Sequence, residues 1–178
     1  LSLLHGEPPS ELPPGIVQDG RFGAAYVLRN ERARPRAEVF STASPLDIGA
    51  DWAASARLVL DATPGAPLRL GVPGIALGTV PQPTDTDGDL PAAAIVDEAI
   101  PERVVVRLTG GSRDGWLLLR DSFAPGWQAT VDGKSVDVLP GDLAFRAVFV
   151  PAGSREVVFE YRPASVALGK AVSLIGLV

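Results

Sequence analysis

The chain has 178 residues, enough for one domain with a real core, with 17 Pro and 19 Gly spread along it. That composition favours many turns over long helices, and a net charge of −5 without a basic cluster excludes a nucleic-acid surface. There is no Cys and one His, His5, so disulfides, thiolate metal sites and multi-histidine zinc sites are excluded. A Ser-His-Asp triad would have to use His5, close to the start of the chain. The chain starts at Leu1 and contains no Met, so we expect a piece of a longer protein.

Residues 1–22 are rich in Pro and Glu and lack a clear period; they read as an extended lead-in. Gly23–Arg29 and Arg36–Ser41 are candidate strands. Asp47–Ala56 has helix-start character, because Asp47 can cap and Ala53, Ala54 and Ala56 favour helix; Trp52 would anchor it by packing. Arg57–Asp61 alternates with period two and predicts a strand. Leu68–Val72 and Ile75–Val80 are further short apolar runs. Thr84–Leu90 is a polar loop, and Ala92–Val96 predicts another strand.

From Glu102 the signal is dense. Strands are predicted at Arg103–Thr109, Trp116–Ser122, Gln128–Val131, Lys134–Leu139, Ala144–Val150 and Glu156–Arg162. Turns separate them at Gly110–Gly115, Ala124-Pro125-Gly126, Asp132-Gly133, Pro140-Gly141-Asp142 and Pro151–Ser154. Short strands at this spacing predict an all-β fold, an antiparallel β-sandwich of jelly-roll type over residues 23–163.

Ala164–Val178 then changes character to Ala, Val, Leu, Ile, Gly and Ser with a single Lys170. The run is shorter than the roughly 20 residues that span a bilayer. Two readings stay open on pattern alone: an amphipathic C-terminal helix packed on the sandwich, or the first turns of a membrane helix.

Several ordered pieces resemble the extracytoplasmic C-terminal domain of YfhO-type bacterial membrane proteins, which are related to the GT-C class of lipid-linked-sugar glycosyltransferases. They are LLLRDSFAPGW, QATVDGK, AFRAVFVPAG, VVFEYRP and the later SLIGL, with VLRNERARPRAEVF upstream. The resemblance covers residues 102–178 and, more weakly, 23–60. It implies that the sandwich lies on the outer face of the cell membrane and that residues 164–178 begin a membrane helix. It further implies that the fragment is itself non-catalytic, since the catalytic acids of GT-C enzymes sit between early membrane helices. The implied partners are the rest of its own membrane-embedded chain and a glycan or polyprenyl-phosphate-linked sugar.

Candidate site residues each carry a structural alternative. Asp85, Asp87 and Asp89 offer hard oxygens at alternating positions, which suits Ca²⁺; but Gly88 comes too early for an EF-hand and the twelfth position is Val96, so a solvated acidic loop competes. No other cofactor is indicated. Trp116 and Trp127 could stack on sugar faces, or pin their turns to the core. Arg146 interrupts the apolar strand AFRAVFV, sharing a face with Ala144, Val148 and Val150. It calls for a carboxylate from Asp121, Asp132 or Asp142, either as a sheet-fixing ion pair or, with Asp142, as part of a site for an anionic glycan or lipid phosphate. Arg162 and Lys170 would sit near headgroups if the tail enters a membrane. Asp97 and Glu98 are adjacent, so on a strand they point to opposite faces and make a poor acid/base pair.

Overall fold

The computed structural model describes residues 2–5, 14–23, 25–46, 66–71, 81–84 and 87–163, with isolated positions between these segments. The expected C-terminal helix, Lys170, Trp52 and the apolar run Ile75–Val80 lie outside the described residues. No helix among the described residues is long and apolar enough to cross a membrane.

The chain divides into two compact units, Leu1–Pro35 and Arg36–Val178. The first is a three-stranded antiparallel sheet of β1 (Ser2–His5), β2 (Ile16–Phe22) and β3 (Ala25–Asn30), in the order β1-β3-β2. Residues 1–22, read as a lead-in, therefore contribute two strands to a sheet. The β2–β3 ladder shifts register between Gln18 and Gly20. That irregularity, together with Pro and Gly around the strands, hides their period from the sequence.

The second unit holds the remaining strands: β4 (Ala37–Phe40), β5 (Ala43–Leu46), β6 (Leu68–Gly71), β7 (Ala92–Ile100), β8 (Arg103–Thr109), β9 (Gly115–Ser122), β10 (Trp127–Val131), β11 (Lys134–Val136), β12 (Leu139–Gly141), β13 (Phe145–Val150) and β14 (Glu156–Tyr161). They form a five-stranded sheet, β11-β10-β14-β8-β7, and a six-stranded sheet, β4-β9-β13-β12-β6-β5. All pairings are antiparallel except β5 with β6.

The fold is all-β, and this unit is a sandwich because the two sheets share one core. Val104, Val106 and Leu108 of β8, Ala129 and Val131 of β10, and Val157 and Phe159 of β14 face inward from the first sheet. Leu117 and Leu119 of β9, Val148 and Val150 of β13, and Ala37 of β4 meet them from the second. These positions alternate along each strand, as one buried face demands. Burial of each such Val, Leu or Phe side chain contributes roughly 1.5–3 kcal/mol.

The six-stranded sheet is buried on its other face as well. Trp116, Leu118, Ala147, Leu68, Leu70 and Ala43 form a second apolar cluster there. Residues 117–119 are accordingly three consecutive fully buried leucines, a run that a one-sided strand could not accommodate.

Two local expectations are corrected. Arg57 and Val59, read as part of a strand, are helical, as are Ala53 and Ala56. The preceding alanines set the local preference, and a period-two reading of five residues was too short to oppose it. Leu139–Gly141, read as the end of one strand and a turn, is a short strand of its own, paired with both β13 and β6. Gly141 lacks a side chain where a Cβ would stand 2.6 Å from Leu118 Cδ1.

Candidate functional site

Two of the sequence-predicted site residues, Arg146 and Trp127, meet at one place, the end of the sandwich where β14 finishes. Strict alternation on β13 turns Arg146 toward the space between the sheets, on the face of Val148 and Val150. On β9, Phe145 is opposite Ser122 but Arg146 is opposite Leu119, so Arg120 and Asp121 form a bulge. A bulge re-aims side chains at the edge of a ladder. Here it leaves Asp121 beside Arg146, with Asp121 Oδ2 3.0 Å from Arg146 Nη2.

Asp121 is shared. Arg36, just before β4, donates to it twice, Nε to Oδ1 at 2.7 Å and Nη2 to Oδ2 at 2.9 Å. This is the two-pronged geometry that suits guanidinium and carboxylate. The other side of the Arg146 guanidinium is aromatic. Its central carbon lies 3.7 Å from the centroid of the Trp127 ring and 5.7 Å from that of Phe159. Trp127 is in turn tilted against Tyr161, its cross-strand partner, at 5.2 Å between centroids.

Arg146 is 4% exposed. Burial lowers its pKa from the ordinary arginine value; the Asp121 carboxylate acts in the opposite direction and the Arg36 guanidinium adds to the lowering. Its Nη1 has no hydrogen-bond partner among the described residues. Enclosed between a carboxylate and two rings, the guanidinium ties β13 to β9 and to the opposite sheet. Arg36 and Tyr161 are members of this cluster that the sequence did not single out. Arg36 stands only one residue before β4, but its partner depends on the β9 bulge, which leaves no local mark.

The chain leaves this end under tight control. Tyr161 N–H donates to Glu102 O and Arg162 N–H to Gly126 O, both at 2.8 Å. Gly126 has φ +105°, and a Cβ there would stand 2.9 Å from Pro163 Cα. The Pro-Gly turn before Trp127 is thus shaped around Pro163. Arg162 is exposed and pairs with Glu160.

The other candidates sit elsewhere. Trp116 belongs to the second apolar cluster, 1% exposed, donating from Nε1 to Pro81 O at 3.1 Å and meeting Phe149 edge-on. It does not converge with Trp127. Asp142, at φ +43°, clasps β6: its N–H donates to Arg69 O at 2.7 Å and its carboxylate accepts Arg69 N–H at 3.2 Å. Of the acidic triplet, Asp85 lies outside the described residues, while Asp87 and Asp89 are exposed. No group of three His, Cys, Asp or Glu side chains converges among the described residues. Asp97 pairs with Arg103 at 2.7 Å.

No family model, no curated protein and no solved structure matches the chain.

Proposed function

We propose that this protein is a non-catalytic extracytoplasmic module of a YfhO-type, GT-C-related membrane protein. In this reading the sandwich is a rigid support on the outer membrane face for transfer of cell-envelope glycan or lipid-linked sugar. The observation that carries it is the fixed exit of β14. Backbone bonds to Glu102 and Gly126 hold Tyr161 and Arg162 in place, directly before the apolar residues 164–178. A domain that stands on a membrane helix needs such a stiff junction. Trp127, Tyr161 and Arg162 at the same end are residue types suited to the interface between headgroups and water.

The winding supports a jelly-roll-like reading of the sandwich. The chain passes from one sheet to the other between β6 and β7, β8 and β9, β9 and β10, β11 and β12, and β13 and β14. A free carbohydrate-binding module, the main alternative, calls for an exposed aromatic strip. Among the described side chains, however, the exposed large hydrophobic is Ile100.

Flotation with phospholipid vesicles tests the proposal, comparing the whole chain with a version ending at Pro163. The whole chain is expected to float with the vesicles and the shortened one to stay in solution. If both remain in solution, residues 164–178 do not enter a bilayer and the reading fails.

A further inference from the structure

At the opposite end of β14 from Pro163, an open groove of about 740 Å³ lies over the ends of β8 and β14. Six residues of strand separate the two ends, about 20 Å. The groove is within the range of small-molecule sites, but its lining is polar. One wall is the Gly110-Gly111-Ser112 turn and the other is Gly153–Glu156, with Asp89 beside the first.

Both walls are braced. Gly110 and Gly111 hold φ of +67° and +84°, and a Cβ on Gly111 would run into the Pro91 backbone. Ser112 N–H donates to Asp89 O at 2.9 Å. Across the groove, the Asp132 carboxylate accepts the N–H groups of Arg155 and Glu156, and Leu108 N–H donates to Arg155 O at 2.7 Å. A second carboxylate, Asp114, accepts Ala152 N–H at 2.8 Å. The walls are therefore set before any ligand arrives, which limits the ordering cost of binding.

Four charged residues line this groove. The side chains of Arg107, Arg155, Asp89 and Glu156 take part in no ion pair or hydrogen bond with another described residue. Arg107 and Glu156 are direct cross-strand partners, yet no ion pair joins them. Two free guanidiniums supply planar donor forks for a carboxylate. Two free carboxylates beside them repel a polyanion and accept hydroxyl groups instead. The balance of two cations and two anions fits a single negative charge on a body rich in hydroxyls.

We propose that this groove binds a hydroxylated monoanion of the sugar-acid class. Arg107 and Arg155 hold the carboxylate; Glu156 and Asp89 accept ligand hydroxyls. None of the residues that line the groove belongs to 164–178.

The test is an amide NMR titration of the full chain with sodium glucuronate, followed at Gly110, Gly111 and Gly153. Glucose and acetate serve as the neutral and the hydroxyl-free controls. Glucuronate is expected to shift these amides in a saturable way, with each control at least about tenfold weaker. Arg107→Gln and Arg155→Gln should each weaken glucuronate by about tenfold or more while the rest of the spectrum is unchanged. Glu156→Gln should weaken glucuronate and leave acetate unaffected. Absence of a glucuronate shift, or equal binding of glucose, overturns the proposal. So does unchanged affinity in both arginine variants. Perturbation of the three glycines by phosphatidylglycerol vesicles but not by glucuronate overturns it in favour of a lipid headgroup.

Discussion

Arg146 sits over the ring of Trp127, its guanidinium carbon 3.7 Å from the ring centroid, and the two residues come from opposite sheets. The contact joins the sheets at the end where the chain leaves the sandwich. A buried cation held by a ring on one side and a carboxylate on the other makes the stability of this end depend on a few side chains.

Removing the ring should be costly. Trp127→Ala is expected to destabilise the domain by about 3 kcal/mol, the low end for a large aromatic because Trp127 is only half-buried. Trp127→Phe keeps a face for the guanidinium and should cost less than half as much. Urea unfolding of the three proteins measures the difference; equal losses would show that the stacked face contributes nothing beyond volume.

The Asp121 carboxylate serves two arginines, so the two ways of breaking the pair are unequal. Asp121→Asn leaves Arg146 buried without a counter-charge and should cost about 3–5 kcal/mol. Arg146→Met removes the buried charge while Asp121 keeps Arg36, so its cost should be smaller. Denaturation midpoints decide the order. A larger loss for Arg146→Met would mean that the cation contributes more through packing and the Trp127 stack than it costs through desolvation.

Gly126 and Gly133 separate backbone strain from crowding. Both have positive φ, but a Cβ at Gly133 meets open space whereas one at Gly126 would press on Pro163. Gly133→Ala should cost about 1 kcal/mol from conformation alone. Gly126→Ala should cost more and should also raise amide exchange at Arg162, whose N–H is bonded to the Gly126 carbonyl. Unchanged exchange at Arg162 would show that the exit does not rely on this turn.

Asp132 tests whether strain or hydrogen bonding controls the β10–β11 turn. It adopts φ +47° and accepts N–H groups at Arg155 and Glu156. Asp132→Ala loses the acceptor and keeps the strain, and should cost about 1–2 kcal/mol. Asp132→Gly loses the same acceptor but relieves the strain, and should be the milder change. Thermal melts of both variants give the order. A Gly variant worse than the Ala variant would put chain entropy ahead of strain.

Much of the second unit was legible in the residues. RVVVRLT, QATV, FRAVFV and EVVFEY are strands, as their alternation and β-branched content predict, and Asp132-Gly133 turns as a hairpin. The acidic partner that Arg146 requires was also legible as a need. Asp121, Asp132 and Asp142 were all candidates for it, however, and Asp121, the farthest of them in sequence, is the one that pairs; the structure gives them three different tasks: the ion pair, the turn before β14 and the clasp on β6. Strands β1, β2, β5 and β12 were not marked: β2, β5 and β12 contain Pro or Gly, and β1 is four residues long, too short to show a period.

The sequence by itself determined the all-β character and most of the turns, since these depend on neighbours a few residues apart. Only the tertiary structure decided which strands pair. It placed Trp116 in a second core, enclosed Arg146 between Asp121 and Trp127, and brought Arg107 and Arg155 to one groove. Those outcomes rest on ladder register and on one bulge in β9, and register is set by contacts between residues far apart in the chain.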